Sequence, residues 1–257
     1  MKLPAEASRI RMYLQKLGSN LFYKRLIKLR NSCPYISFTF DDFPRSALHV
    51  GGNILNRFGL CGTYYTSLGL MDKEEPPGRM FAASDLRNAI ALGHELGCHT
   101  YAHHNSLLTR TKVFEESIVQ NKQALRRLLT GVSFKSLSYP IEGPRVSTKR
   151  MVERYFDCCR GGGQAFNTGR VDLNLLKAFF LEKVKNDEKI VKDLIDKNRD
   201  ARGWLIFATH DIDDSPSPYG CTTPFFQCIV EYSIKSGAKI LPVSEALRAI
   251  LAEQLKY

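Results

Sequence analysis

From Pro34 onward the chain alternates short runs rich in β-branched and aromatic residues with stretches of helical period, and this alternation constrains the architecture most. The strand-like runs are 35–40, 62–66, 95–98, 136–139, 156–159, 204–209 and 239–241. Helices are predicted over 45–58, 84–93, 111–129, 147–154, 188–200, 223–235 and 243–255. In 111–129, Phe114, Ile118, Asn121, Leu125 and Leu128 recur at helical spacing with charges opposite. Strands alternating with helices build a parallel sheet, and seven of them suit an α/β barrel of the (β/α)7 type. A chain of 257 residues holds such a barrel as one unit over 34–257. The longest irregular stretches, 160–174 with Gly161-Gly162-Gly163 and 211–222, both follow strands, where barrels carry their chemistry.

The net charge of +11 is unevenly placed. Residues 1–30 hold eight bases against the single acid Glu6, so the other 227 residues carry only +4. That argues against a nucleic-acid-binding body and sets off 1–33 as a basic leader. Two amphipathic helical pieces are predicted within 7–30. Ile10, Tyr13, Leu14, Leu17 and Leu21 share one face, and beyond Gly18-Ser19-Asn20 a second face holds Phe22, Leu26 and Leu29 with Lys24, Arg25 and Lys28 mostly off it. Such a segment either packs on the body with its charges solvated, the commoner arrangement, or makes peripheral contact with an anionic membrane. No apolar stretch of the signal-peptide kind follows the first charges, and no run of about 18 apolar residues is present to span a bilayer. The seven cysteines are scattered without CxxC spacing, which favours reduced thiols over a disulfide framework or a cysteine metal site. The expected location is the cytoplasm, with the inner membrane surface as the alternative for the leader.

Chemistry-bearing residues gather where strands end. Thr39-Phe40-Asp41-Asp42 closes the first strand, His99-Thr100-Tyr101-Ala102-His103 the third and Thr209-His210-Asp211 the sixth. His99 and His103 stand four apart, which on a helical turn puts both imidazoles on one face. Two histidines and a carboxylate form a ligand set that leaves coordination positions open. Neighbouring carboxylates at a strand end diverge, offering one ligand and one base. Each element alone has a plainer reading, a helix N-cap for the Asp pair or a structural role for His210. Their joint placement at three strand ends favours a site. His49, His94 and His104 are not expected to be ligands. Asp211, Asp213 and Asp214 read as solvated loop acids, with support of His210 as the alternative for Asp211.

Phe38-Thr39-Phe40-Asp41-Asp42, Gly93-His94-Glu95-Leu96-Gly97-Cys98-His99-Thr100-Tyr101-Ala102-His103 and Leu205-Ile206-Phe207-Ala208-Thr209-His210, with Gly62-Thr63-Tyr64-Tyr65, resemble the NodB-like polysaccharide deacetylases, carbohydrate esterase family 4, over about residues 34–250. The resemblance implies a distorted barrel and metal-dependent removal of an N-acetyl, less often O-acetyl, group from an amino sugar in a glycan or glycan precursor. It implies Asp42, His99 and His103 as ligands of a divalent metal, usually zinc, Asp41 as general base and His210 as general acid.

Two motifs depart from that pattern. In Ser138-Tyr139-Pro140-Ile141-Glu142-Gly143, Ser138 occupies the place of the arginine that holds the base. Arg160 or Arg145 is expected to substitute, with Arg160 preferred because a strand end points into the barrel mouth. The Asp and Trp motif is replaced by Arg160-Gly161-Gly162-Gly163-Gln164-Ala165-Phe166-Asn167, and Trp204 reads as core. Tyr139, Pro140, Gln164 and Asn167 are the candidate sugar contacts. These departures keep two alternatives open: a glycan-binding protein without turnover, and a deformylase or other amidohydrolase acting on a non-polymeric substrate.

Overall fold

Eight short strands form one parallel sheet in the computed structural model, which describes residues 5–254, with side chains from residue 12. They are β1 (Tyr35–Phe40), β2 (Thr63–Thr66), β3 (Glu95–Cys98), β4 (Ser136–Ser138), β5 (Cys158–Arg160), β6 (Phe179–Phe180), β7 (Trp204–Thr209) and β8 (Lys239–Ile240). The order is β6-β7-β1-β2-β3-β4-β5, with β8 paired to the start of β1. β1 and β7 are buried along their whole length, as strands covered on both faces must be. The sheet curls into a half-barrel. The chain leading into β6 runs beside β5, where Leu176 donates to the carbonyl of Cys159 at 2.8 Å and Gly161 to that of Leu176 at 2.9 Å.

The expected α/β architecture is present, with changes in the strands. β6 joins the sheet edge unforeseen, because two residues carry no period, and the run at 239–241 pairs with β1 outside the main strand order.

The helices are α1 (Ala5–Leu21), α2 (Asn53–Arg57), α3 (Ala83–Ala91), α4 (Thr111–Leu128), α5 (Val146–Val152), α6 (Glu188–Asp200), α7 (Thr223–Lys235) and α8 (Val243–Gln254). The expected helix at 45–58 is instead a π-helical stretch, Ala47–Gly52, followed by the short α2. Residue 255, the expected end of the last helix, lies outside the described residues. α4 buries Phe114, Ile118 and Leu125 against the sheet. Its buried Asn121 donates to the carbonyl of Thr66 at 2.8 Å and accepts from the N–H of Leu68 at 2.9 Å. A mid-helix amide thus satisfies backbone groups that leave β2 without a strand partner.

The leader departs from expectation twice. Only its first piece is helical. Leu26–Lys28 is a strand paired antiparallel with Arg170–Asp172, so partner strand hydrogen bonds override the helical period of Phe22, Leu26 and Leu29. In addition, Tyr13, Leu14, Leu17 and Leu21 on α1 are exposed rather than packed on the body. Residues 1–4 and the side chain of Ile10 lie outside the described residues.

Candidate active site

Strand register assembles the site. β7 and β1 align Thr209 with Phe40, so His210 and the Asp41-Asp42 pair leave adjacent strand ends together. β3 delivers His99, and β4 and β5 align Ser138 with Arg160. Residues as far apart as Asp41 and His210 therefore meet over the carboxyl ends of the strands, where parallel sheets offer side chains to a ligand.

Asp42, His99 and His103 each turn one ligand atom inward, and the three atoms lie within 4.8 Å of one another. The Nε2 of His103 is 3.1 Å and that of His99 3.6 Å from the same Asp42 oxygen, Oδ1. That oxygen is buried without a hydrogen bond. The Nδ1–H of His99 donates to the carbonyl of Ser138 at 2.8 Å, which leaves the Nε2 lone pair aimed at the site. Burial foremost pushes the Asp42 carboxyl up to about 7, with Asp41 and Glu75 adding to the rise and His210 opposing it. Burial also pulls His99 down to about 3, keeping it neutral. A buried carboxylate oxygen without a donor, facing two neutral imidazoles, fits a divalent cation.

The two histidines converge by a route other than the expected helical turn. Residues 99–103 are irregular, and Thr100 and His103 adopt left-handed backbone angles of φ 61° and 50°, as does Asp42 at 61°. Such conformations cost about 1–3 kcal/mol each and persist where surrounding bonds impose them. Here Ser67 donates to the carbonyl of His99 at 2.8 Å, and the Ser117 hydroxyl of α4 accepts from the N–H groups of Tyr101 at 3.0 Å and Ala102 at 3.1 Å.

Asp41 lines the same cavity as that set but has a partner of its own. The guanidinium of Arg160, only 1% exposed, donates to its Oδ1 and lies 4.6 Å over the ring of Tyr65. Burial acts to raise the Asp41 carboxyl, but Arg160 first, then His99 and His210, hold it below the usual carboxylate range. Arg160 therefore pairs with Asp41 from the strand next to that of Ser138, at the same level of the sheet. Arg145 bonds instead to the carbonyl of Thr109.

His210 donates through Nδ1 to the carbonyl of Tyr219 at 3.1 Å, with Nε2 3.9 Å from Asp42. Asp211, expected as a solvated loop acid, is buried. It accepts from the N–H and hydroxyl of Ser217 and so shapes the loop that carries the Tyr219 carbonyl. Asp213 and Asp214 are exposed. His94 is buried away from the ligands, accepting from the N–H of Gly62, and His49 pairs with Asp85.

Asp41, Asp42, His99, His103, His210 and Tyr219 line a cavity of about 660 Å³, with Arg160 behind its wall. Of the expected sugar contacts only Tyr139 is in its wall, with its hydroxyl held by the carbonyl of Asn174 at 2.9 Å. Pro140 is buried outside it, its carbonyl accepting from Ser106. Gln164 pairs with the backbone of Phe180, and buried Asn167 with that of Lys177 and Trp204. Both amides tie loop to sheet, and for Asn167 this satisfies buried backbone, a demand that a sugar-contact reading overlooks. Sequence reasoning missed Glu75, Phe180 and Glu182 in the wall. Glu182, just past the unforeseen β6, has a buried oxygen without a hydrogen bond and is pushed up to about 7 by burial foremost. An acid following the apolar Phe179-Phe180-Leu181 run is the one signal that could have marked it.

Residues 28–155 match the family model for polysaccharide deacetylase, a span that includes Asp41, Asp42, His99 and His103 and stops before Arg160 and His210. No curated protein matches the chain in sequence. Among solved structures, the chain resembles the Xyl-CE4 domain of a multidomain xylanase from the hindgut metagenome of Trinervitermes trinervoides, with a TM-score of 0.60 at 17% identity over 85% of this chain and 91% of that one. The peptidoglycan deacetylase PdaC from Bacillus subtilis gives 0.57 at 14% identity over 87% and 94% of the respective chains. BA3943, a CE4 family pseudoenzyme from Bacillus anthracis, gives 0.57 at 9% identity over 84% and 66%. At these identities the likeness speaks to the fold alone.

Proposed function

The chain belongs to the polysaccharide deacetylase family, and on that premise we propose that it hydrolyses the N-acetyl group of an amino sugar in a glycan or glycan precursor with the help of a divalent metal. The carrying observation is the divergence of Asp41 and Asp42 at the end of β1, one clamped by a guanidinium and the other faced by two imidazoles. Asp42, His99 and His103 would hold the metal, and the nitrogen-oxygen donor set suits zinc. When bound, the metal supplies Lewis-acid polarisation of the acetyl carbonyl and makes water more acidic.

The chain's own residues supply the rest. Asp41, ionised and held by Arg160, accepts the proton of the attacking water. His210 protonates the leaving nitrogen through Nε2, its ring oriented by the bond from Nδ1 to Tyr219. Two groups of opposite role on either side of the acetyl carbon convert a poor leaving group into a neutral amine.

The cavity volume supports a short glycan segment or a single decorated sugar. Seven cysteines without a disulfide support a reducing, cytoplasmic location. The test is acetate release from N-acetylglucosamine oligomers by zinc-loaded protein, with Asp41→Asn and His210→Ala expected to lose at least about a hundredfold. Formate release from N-formyl sugars without acetate release would favour the deformylase reading. Saturable glycan binding with neither product would favour the binding protein that Ser138 keeps open, although a general base already paired with Arg160 counts against it.

A further inference from the structure

We propose that the outer face of α1, continued through Leu26, is a docking surface for an anionic phospholipid bilayer. The leader is not a loose tail. The fully buried Lys149 of α5 donates to the carbonyls of Ser19 at 2.6 Å and Phe22 at 3.1 Å and pairs with Asp172. Arg25 reaches the carbonyls of Phe156 and Asp157, and Leu26–Lys28 adds a strand to Arg170–Asp172. One side of this segment is therefore fixed to the body.

The other side is apolar and uncovered. Tyr13, Leu14, Leu17 and Leu21 form one helical stripe that continues into Phe22, Tyr23 and Leu26, all between 43% and 66% exposed. These seven are nearly half of the sixteen large apolar side chains exposed among the described residues, gathered within fourteen positions. A patch so concentrated marks an interaction surface.

Charge selects the occupant. Between Glu6 and Asp41 the sequence has no acid, and Lys16, Lys24, Lys28 and Arg30 are exposed along this segment. A second copy meeting this face symmetrically would bring cation against cation. An anionic bilayer complements the bases and receives the apolar side chains, the arrangement of an interfacial helix. Lys16 also bridges at 2.6 Å to Glu142, which with Ile141 lies in the cavity wall. The docked protein thus holds its cavity mouth beside the headgroups, within reach of a glycan carried on a lipid, a consequence that rests on the deacetylase reading.

The test is flotation of the full chain with vesicles of phosphatidylcholine containing 40% phosphatidylglycerol, or none, at 50 and 500 mM NaCl. We expect at least tenfold more protein on the anionic vesicles at low salt, and most of that lost at high salt. Leu14→Glu/Leu17→Glu should abolish binding, and Lys24→Glu/Lys28→Glu should reduce it severalfold. Both pairs are exposed, so an unchanged circular dichroism melt separates lost docking from misfolding. Equal binding to both vesicles, or none to either, overturns the proposal. A dimer in light scattering that Leu14→Glu/Leu17→Glu dissolves, with no vesicle binding, assigns the face to a second copy instead. Vesicle binding is read without turnover, so its failure leaves the deacetylase reading intact, and the converse holds.

Discussion

Arg160→Ala removes the counter-ion of a carboxylate that is only 4% exposed. Deleting one partner of a buried pair costs about 3–5 kcal/mol, because the remaining charge has neither water nor cation. If all of that cost fell on ionised Asp41, it would raise the carboxyl by about two to four pKa units, at about 1.4 kcal/mol per unit. Protonation caps the stability loss, so the melting temperature should fall by no more than about 6–20 °C, at about 2–4 °C per kcal/mol for a chain of this size. Arg160 is the largest of the influences that lower Asp41 against the burial that raises it, so its loss lets burial prevail. The acid limb of the kcat/KM profile should therefore move to higher pH, with kcat falling more than KM rises. Arg160→Lys keeps a charge but loses the planar contact with Tyr65 and should recover only part of the rate. Arg160→Ala/Ser138→Arg, which restores an arginine at the same level one strand away, should recover more than Arg160→Ala alone. An Arg160→Ala enzyme with an unshifted profile and undiminished kcat would refute the role assigned to the guanidinium.

Asp42 is pushed up to about 7 before metal binding, so protons compete with the cation below that pH, and zinc affinity should climb steeply from pH 6 to 8. Competition titration with a chromophoric chelator reads this directly, and a flat affinity would contradict it. Gly97 lies opposite Tyr65 in the β2–β3 register, and a methyl group there would collide with the tyrosine ring that carries Arg160. Gly97→Ala should cost about 1–3 kcal/mol in denaturant melts and lower kcat, whereas full activity would show that the ring can yield. Burial would raise Glu253, but the N–H of Ser32, the hydroxyl of Tyr35 and the ammonium of Lys239 together hold it down to about 2. Its ionised form is favoured by folding, so its contribution is present above its ordinary value of about 4.5 and is lost as pH falls toward 2. The melting-temperature gap between wild type and Glu253→Gln should therefore narrow from pH 6 to pH 3, and a constant gap would count against the assignment.

Much of the barrel could be read from the chain because its signals are local. The apolar runs of β1 and β7 and the helical period of α4, α6 and α7 are set by neighbours within a few residues, and those elements lie where they were expected. β6 could not be read, since two phenylalanines become a strand only because β7 lies beside them. Nor could Leu26–Lys28, whose helical period yields to partner bonds from a segment about 145 residues away.

The site divides along the same line. The sequence alone determined that two aspartates and three histidines stand at strand ends, because strand and motif are contiguous and a parallel sheet presents its carboxyl ends together. Only the tertiary structure decided which distant groups complete them. Arg160 was expected ahead of Arg145 from its strand end, but only the β4–β5 register brings it to Asp41 across 119 positions while Arg145 bonds elsewhere. Gln164 and Asn167 are drawn away to satisfy loop backbone, and the apolar side of α1 is left uncovered. Each outcome depends on which chain segments fold back against one another, and contacts of that range leave no period for a sequence to display.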